Sequence, residues 1–301
     1  MSKVKTKIAI EDVFLFLKNT QEETPRNLTF IDGGEASQAF SFENSTGNFV
    51  IRINASSNGF EKDKYAYNNF QNNSIPIPKI ISVGLFNEQY QYAISEKSEG
   101  SVLKDVTDNE YKEILPELFK ILTSIHKIDV SNTSGFGSWS VKESAEADTW
   151  KEYVLSVQEY ATDTLFNNSF LEKDVWDTYF SKIKELVSFC PEERYLLHGD
   201  YGSDNVVTNN GNITGVLDWA DSKYGDFLFD IAWLNFWNPN RNPMSFFEDY
   251  YANEEPTENF TERVLCYQLL IGLGSLSFYA YSNQKEKYES SKKKLSSLIK
   301  K

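Results

Sequence analysis

Apolar and polar positions alternate along the first hundred residues and then settle into a helical rhythm. A short amphipathic stretch around Glu11–Lys18 predicts a helix, and strand-like runs follow at Leu28–Ile31, Gln38–Glu43 and Phe49–Asn54. Asp32-Gly33-Gly34 separates the first two runs, and Asn44–Asn48, with Gly47, separates the second pair. Phe60–Phe70 reads as a helix, Pro76 and Pro78 interrupt the chain, and Ile80–Phe86 with Tyr90–Ser95 predicts a hairpin. Beyond Gly100, Tyr111, Ile114, Leu115, Leu118, Leu122 and Ile125 form one apolar stripe, in which Pro116 predicts a kink or a late start. Further helices are predicted near 148–166, 171–189, 226–237 and 261–281, with a β-like island at Tyr195–Trp219. A β-rich region followed by a helical one predicts an α+β, two-lobed enzyme, divided into residues 1–97 and 98–301.

The 301-residue length fits two domains, and 40% hydrophobic residues suffice for packed cores. The N-terminal MSKVKTKIAIEDVFLFLKNT lacks the apolar core and cleavage site of a signal peptide, and no run approaches the length of a membrane span. The two cysteines, Cys190 and Cys266, have no metal-site spacing and predict ordinary thiols in a reducing cytoplasm. The formal charge of −14 is unevenly spread: −2 over residues 1–100, −17 over 101–284 and +5 over 285–301. An acidic region of this kind repels nucleic acid and gathers cations, so the expected partner is a polycationic small molecule. Neither nucleic acid nor a membrane is expected, and a monomer is.

The island reads LLHGDYGSDNVVTNNGNITGVLDWADSKYGD. Two β-like pieces, Asn205–Thr208 and Ile213–Leu217, flank the turn Asn209–Asn212, so a hairpin would bring the segments near Asp200–Asn205 and Asp218 to one side. A carboxylate and an amide supply the hard oxygens that Mg²⁺ takes alongside phosphates, and a further carboxylate can orient a hydroxyl and accept its proton. HGDxxxxN, followed thirteen residues later by the Asp of LDW, resembles the signature of the aminoglycoside phosphotransferases and their protein-kinase-like relatives. The resemblance implies the kinase-like fold, with Asp200 as catalytic residue, Asn205 and Asp218 as Mg²⁺ ligands and His198 as a structural histidine.

The same resemblance assigns the nucleotide to the first region. IDGGEASQAFSF, with Gly34 and Ser37, stands where the family's loop covers the ATP phosphates, its N–H groups near Gly34–Gln38 facing them. YAISEKSEG resembles the hinge, where the Ser95 carbonyl and Lys97 N–H would pair with the adenine edge. The family's strand lysine is replaced by Arg52 in FVIRIN, with Glu61 or Asp63 as its acidic partner. GEASQAFSF, FVIRIN, GFEKDKYAY, PIPK, TSGFG and HGDYGSDNV, over about Ile31–Tyr281, resemble the hygromycin B phosphotransferases. That likeness implies ATP, with GTP still open, and transfer to a hydroxyl of hygromycin B. Asp204, Asp221 and Asp226, with Trp237 as an aromatic wall, are candidate acceptor contacts. Three other readings stay open on residues alone: a kinase for choline, a sugar amine or a macrolide, with Trp219, Trp233 and Trp237 as a cage; a nucleotide-binding module without turnover; and a metal hydrolase using His198 and Asp200.

Overall fold

In the computed structural model, residues 7–34, 37–55, 59–141, 144–251 and 257–299 are described. The chain divides into two compact units, 1–124 with 202–221, and 125–201 with 222–301. The expected division after residue 97 is therefore not where the packing divides. The segments that follow residue 97 and the hairpin of the motif island pack with the first unit.

The first unit opens with α1 (Ile10–Thr20), then β1 (Arg26–Ile31), β2 (Gln38–Glu43), β3 (Asn48–Asn54), α2 (Gly59–Phe70), β4 (Ile80–Leu85) and β5 (Gln91–Glu96). The five strands form one antiparallel sheet in the order β1-β2-β3-β5-β4, in which Arg52 lies opposite Ala39 and Ala93. Alternation decides which face is buried: Phe40 and Phe42 on β2, and Phe49, Ile51 and Ile53 on β3, pack with Val13 and Leu17 of α1. β6 (Ser101–Val102) then pairs with β9 (Val206–Asn209), and β9 with β10 (Asn212–Val216). α3 (Asp108–His126) begins after Thr107, whose hydroxyl accepts the Glu110 N–H, and continues through Pro116 into the second unit.

The second unit contains β7 (Gly137–Ser138), α4 (Trp150–Leu155), α5 (Asp163–Asn168), α6 (Lys173–Leu186), β8 (Tyr195–Leu197), β11 (Lys223–Gly225), α7 (Leu228–Trp237), α8 (Pro243–Tyr251), α9 (Phe260–Tyr281) and α10 (Lys285–Leu298). The helix expected over 148–166 is broken. A capping box of Thr149 and Glu152 starts α4, a 3₁₀ stretch follows at Ser156–Tyr160, and Thr162 caps α5. α9 is long and apolar enough to cross a membrane by composition, but 61% of that window is buried here and it packs against α6, α7 and α10. The Lys/Ser-rich tail is helical. Tyr288, Ser291 and Leu295 line the buried face of α10, and Gly272 gives Leu295 room, since a Cβ there would come within 2.3 Å of it.

Candidate active site

In the first unit the β9–β10 hairpin closes through Asn210 and Gly211, both with positive φ. At its open end the Leu217 N–H donates to the Asn205 carbonyl at 2.7 Å, which places Asn205 beside the strand that leads to Asp218. Asn205 is held in turn by its own N–H on the Gly202 carbonyl at 2.8 Å. Asp218 has φ +58°, a left-handed conformation that a non-glycine residue adopts at some cost, and its side chain is 42% exposed. The hairpin mouth thus offers an exposed carboxylate at Asp218 and an amide side chain at Asn205. These hard oxygens fit Mg²⁺ far better than a soft metal.

Helix α2 fixes the residues after Asp218. Asp63 accepts the Trp219 N–H at 2.7 Å, and the buried Lys62 ammonium donates to the Ala220 carbonyl at 2.8 Å. Gly59 lets the helix approach, because a Cβ there would meet the Ala220 methyl at 3.1 Å. Arg52 pairs with Asp63, lies 3.8 Å from Asp218 and stacks over Phe60 at 5.2 Å. Of the two candidate partners, the structure selects Asp63; Glu61 is exposed. Burial works against the Arg52 charge, but Asp63 and Asp218 outweigh it and hold the pKa above its ordinary value. Burial raises the Asp63 carboxyl; Arg52 opposes that rise and Asp218 adds to it.

The glycine turn keeps Gly33 at φ +126° and Gly34 at φ +67°, and Ser37 accepts a hydrogen bond from the Asn54 amide at 3.1 Å. Glu35 and Ala36, within the expected phosphate loop, lie outside the described residues. The hinge assignment needs correction. Ser95 is buried between Val50 of β3 and Ile80 of β4, and the Lys97 N–H donates to the Asn48 carbonyl at 2.9 Å. The sheet continues one residue past β5, so that donor is already used.

In the second unit the HGD loop hangs on one carboxylate that sequence reasoning missed. Asp230, fully buried on α7, accepts the His198 N–H at 3.0 Å and the Gly199 N–H at 2.8 Å. It also meets His126 Nε2 at 3.0 Å. The Asp200 N–H reaches His198 Nδ1 at 3.3 Å, and the Asp200 side chain is partly exposed. Burial alone would raise the Asp230 pKa, but the His126 hydrogen bond and charge, with the Gly199 N–H and His198, bring it below the ordinary value. The available signal was a lone carboxylate inside the apolar run FLFDIAWLNFW, where a buried charge requires partners.

The acceptor candidates divide. Asp221 is exposed on the turn Trp219–Asp221, and Asp204 is exposed and paired with Lys104. Asp226 is no surface contact: it is fully buried, and its two oxygens accept from Arg263, Tyr267 Oη and the Leu228 N–H. Trp237 is no open wall either. The Lys294 ammonium lies 4.6 Å from its ring centroid and donates to the Phe236 carbonyl at 2.8 Å. Burial lowers the Lys294 pKa. The choline cage loses Trp219, which is buried against Phe70. Among the described residues no three His, Cys, Asp or Glu side chains group as a metal hydrolase would need.

The five-stranded sheet, the glycine turn, the strand cation with its helix carboxylate and the HGD loop define a phosphotransferase with the protein-kinase-like α+β fold. The chain belongs to the phosphotransferase enzyme family, whose sequence pattern matches residues 27–264. It is similar to the hygromycin-B 4-O-kinase of Escherichia coli, 32% identical over 83% of this chain and 74% of the relative. The aminoglycoside 3'-phosphotransferase of Enterococcus faecalis is 26% identical over 52% of this chain and 58% of its own length. A thermostable mutant of aminoglycoside phosphotransferase APH(4)-Ia, solved with AMP-PNP and hygromycin B, superposes with a TM-score of 0.84 at 28% identity, covering 96% of this chain and 98% of that one.

Proposed function

We propose that this enzyme transfers the γ-phosphoryl group of ATP, with Mg²⁺, to a hydroxyl of hygromycin B and thereby confers resistance to it. The observation that carries this reading is the meeting of Asn205 with the strand leading to Asp218, at the mouth of one hairpin, in a chain 32% identical to a hygromycin-B kinase. Asp218 and Asn205 would hold Mg²⁺, which supplies charge neutralisation for the phosphates when bound. Asp200 orients the acceptor hydroxyl and takes its proton, on a loop kept rigid by Asp230. Gly34 and Ser37 belong to the turn that faces the phosphates, and Arg52 with Asp63 holds Asp218 in register. Because Ser95 and Lys97 are both taken up in the pairing with β3, the adenine edge falls to the other backbone groups at the end of β5 and in the chain after it.

In this reading, residues 1–97, with the later segments that pack on them, form the nucleotide lobe, and the rest of 98–301 carries the catalytic loop and the acceptor region. The charge of −17 over 101–284 suits a polycationic acceptor, with Asp204 and Asp221 as its exposed candidates. The enzyme acts as a monomer in the cytoplasm. The test is incubation of purified protein with hygromycin B, kanamycin, choline and a macrolide, each with Mg·ATP or Mg·GTP. A phosphate-sized mass gain on hygromycin B is expected. A gain on choline or the macrolide alone would keep the fold assignment and overturn the substrate.

A further inference from the structure

The phosphate chain of a nucleotide needs a cation, and Arg52 has little charge to spare. Its guanidinium pairs with Asp63 and lies 3.8 Å from Asp218, so one positive charge stands between two negative ones. Before a metal arrives, this corner is net negative.

A second cation lies in the same unit, beside the glycine turn. Lys104 sits on the 3₁₀ turn Leu103–Asp105 that follows β6, and its backbone N–H donates to the Ser203 carbonyl at 2.8 Å. Its ammonium pairs with Asp204, the residue before Asn205. A Cβ built on Gly33 would lie 3.8 Å from Lys104 Nζ, which puts the ammonium in contact range of the turn. One amine therefore links the glycine turn to the loop that carries Asn205. The hydrogen bond to Asp204 raises its pKa; burial opposes this, and the charges of Asp204, Asp105 and Asp32 add to the rise. It is 41% exposed, so an entering anion can reach it.

We propose that Lys104 is a phosphate-binding residue of the nucleotide site, exchanging part of its contact with Asp204 for the phosphate chain of the bound nucleoside triphosphate. The inference rests on the kinase reading above and goes beyond the family resemblance, which points to the third strand and not to this turn. The charge balance supports it from the other side. Without the ammonium, Asp32, Asp105 and Asp204 would face a polyanion unopposed, a repulsion that grows with each phosphate.

The test measures binding of Mg·ATP, Mg·ADP and AMP by calorimetry, without acceptor, to the wild-type protein, Lys104→Gln and Lys104→Arg. The Gln variant should lose about 3- to 10-fold in ATP affinity, less for ADP and nothing measurable for AMP, and Arg should restore most of the loss. Because Lys104 is exposed, the variants should keep the wild-type melting temperature, which is checked in parallel. Unchanged ATP affinity in Lys104→Gln overturns the inference. So does an equal loss for all three nucleotides, which would assign Lys104 to adenosine or to loop structure. A wild-type protein that binds no nucleotide would instead overturn the kinase reading beneath it.

Discussion

The Asp63 carboxylate accepts the Trp219 backbone N–H at 2.7 Å across 156 positions of sequence. Its other oxygen pairs with Arg52, so one side chain on α2 couples the central strand of the sheet to the residue following Asp218. The left-handed backbone at Asp218 needs such restraint, because strain persists only where the surroundings over-determine it.

If Asp63 positions Asp218, Asp63→Ala should weaken metal use as well as stability. The expected cost in stability is about 1–3 kcal/mol, from a buried N–H left unpaired and an ion pair lost. The Mg²⁺ concentration for half-maximal turnover should rise by roughly 10–100-fold, the range for partners that orient metal ligands. A magnesium titration of ATP turnover checks this. A lower melting temperature with an unmoved magnesium midpoint would reduce Asp63 to a packing role. Chelation of all divalent metal should abolish turnover in both proteins.

Asp200→Ala should lower turnover by about 10²–10⁴-fold while nucleotide affinity changes little. The variant should fold, because the loop is fastened through its backbone to Asp230 and not through the Asp200 side chain. Single-turnover kinetics and nucleotide titration separate the two effects. Turnover near wild type would remove Asp200 from proton transfer.

Much of this arrangement was legible in the chain because its signals are local. Alternation at Phe40, Phe42, Phe49, Ile51 and Ile53 drew the sheet, and the short spacing from Asp200 to Asp218 drew the hairpin. Long-range pairings left no such trace. Asp230 meets His126 across 104 positions, and neither residue carries a periodic mark of that contact. Asp226 looked like an exposed acid because Arg263 and Tyr267, its partners, come from a helix far along the chain. The α10 tail was hidden by its lysines, although Tyr288, Ser291 and Leu295 keep a helical spacing. The use of the Lys97 N–H leaves no local trace, because a strand's last hydrogen bond depends on the neighbouring strand, here Asn48, and not on its own sequence.

Asp230 makes the protein sensitive to acid in a predictable direction. Its folded pKa lies below the ordinary aspartate value near 3.9, so the folded state binds fewer protons than the unfolded chain in that range. Its stabilisation is complete above the unfolded pKa and is lost as pH falls through the folded one. The gap in melting temperature between wild type and Asp230→Asn should therefore be widest near neutrality and narrow below about pH 4. Thermal melts across that range check the trend. A gap that widens on acidification would mean that Asp230 is not ionised in the native loop.

The uneven charge leads to a last prediction about the acceptor. Hygromycin B is cationic, and residues 101–284 carry −17 while residues 1–100 carry only −2. Attraction between exposed charges is screened over about 10 Å at 0.1 M salt. Raising the ionic strength should therefore increase the acceptor KM, chiefly by slowing association, since rim and surface charges act on the encounter rate. Nucleotide binding should respond less to the acidic region, because its partners are Mg²⁺, backbone N–H groups and the cations of the first unit. Paired titrations at low and high salt separate the two: acceptor KM should climb several-fold while the Mg·ATP KM moves less. If the acceptor KM is indifferent to salt, the acidity serves solubility alone, and recognition of hygromycin B must rest on short-range contacts such as those offered by Asp204 and Asp221.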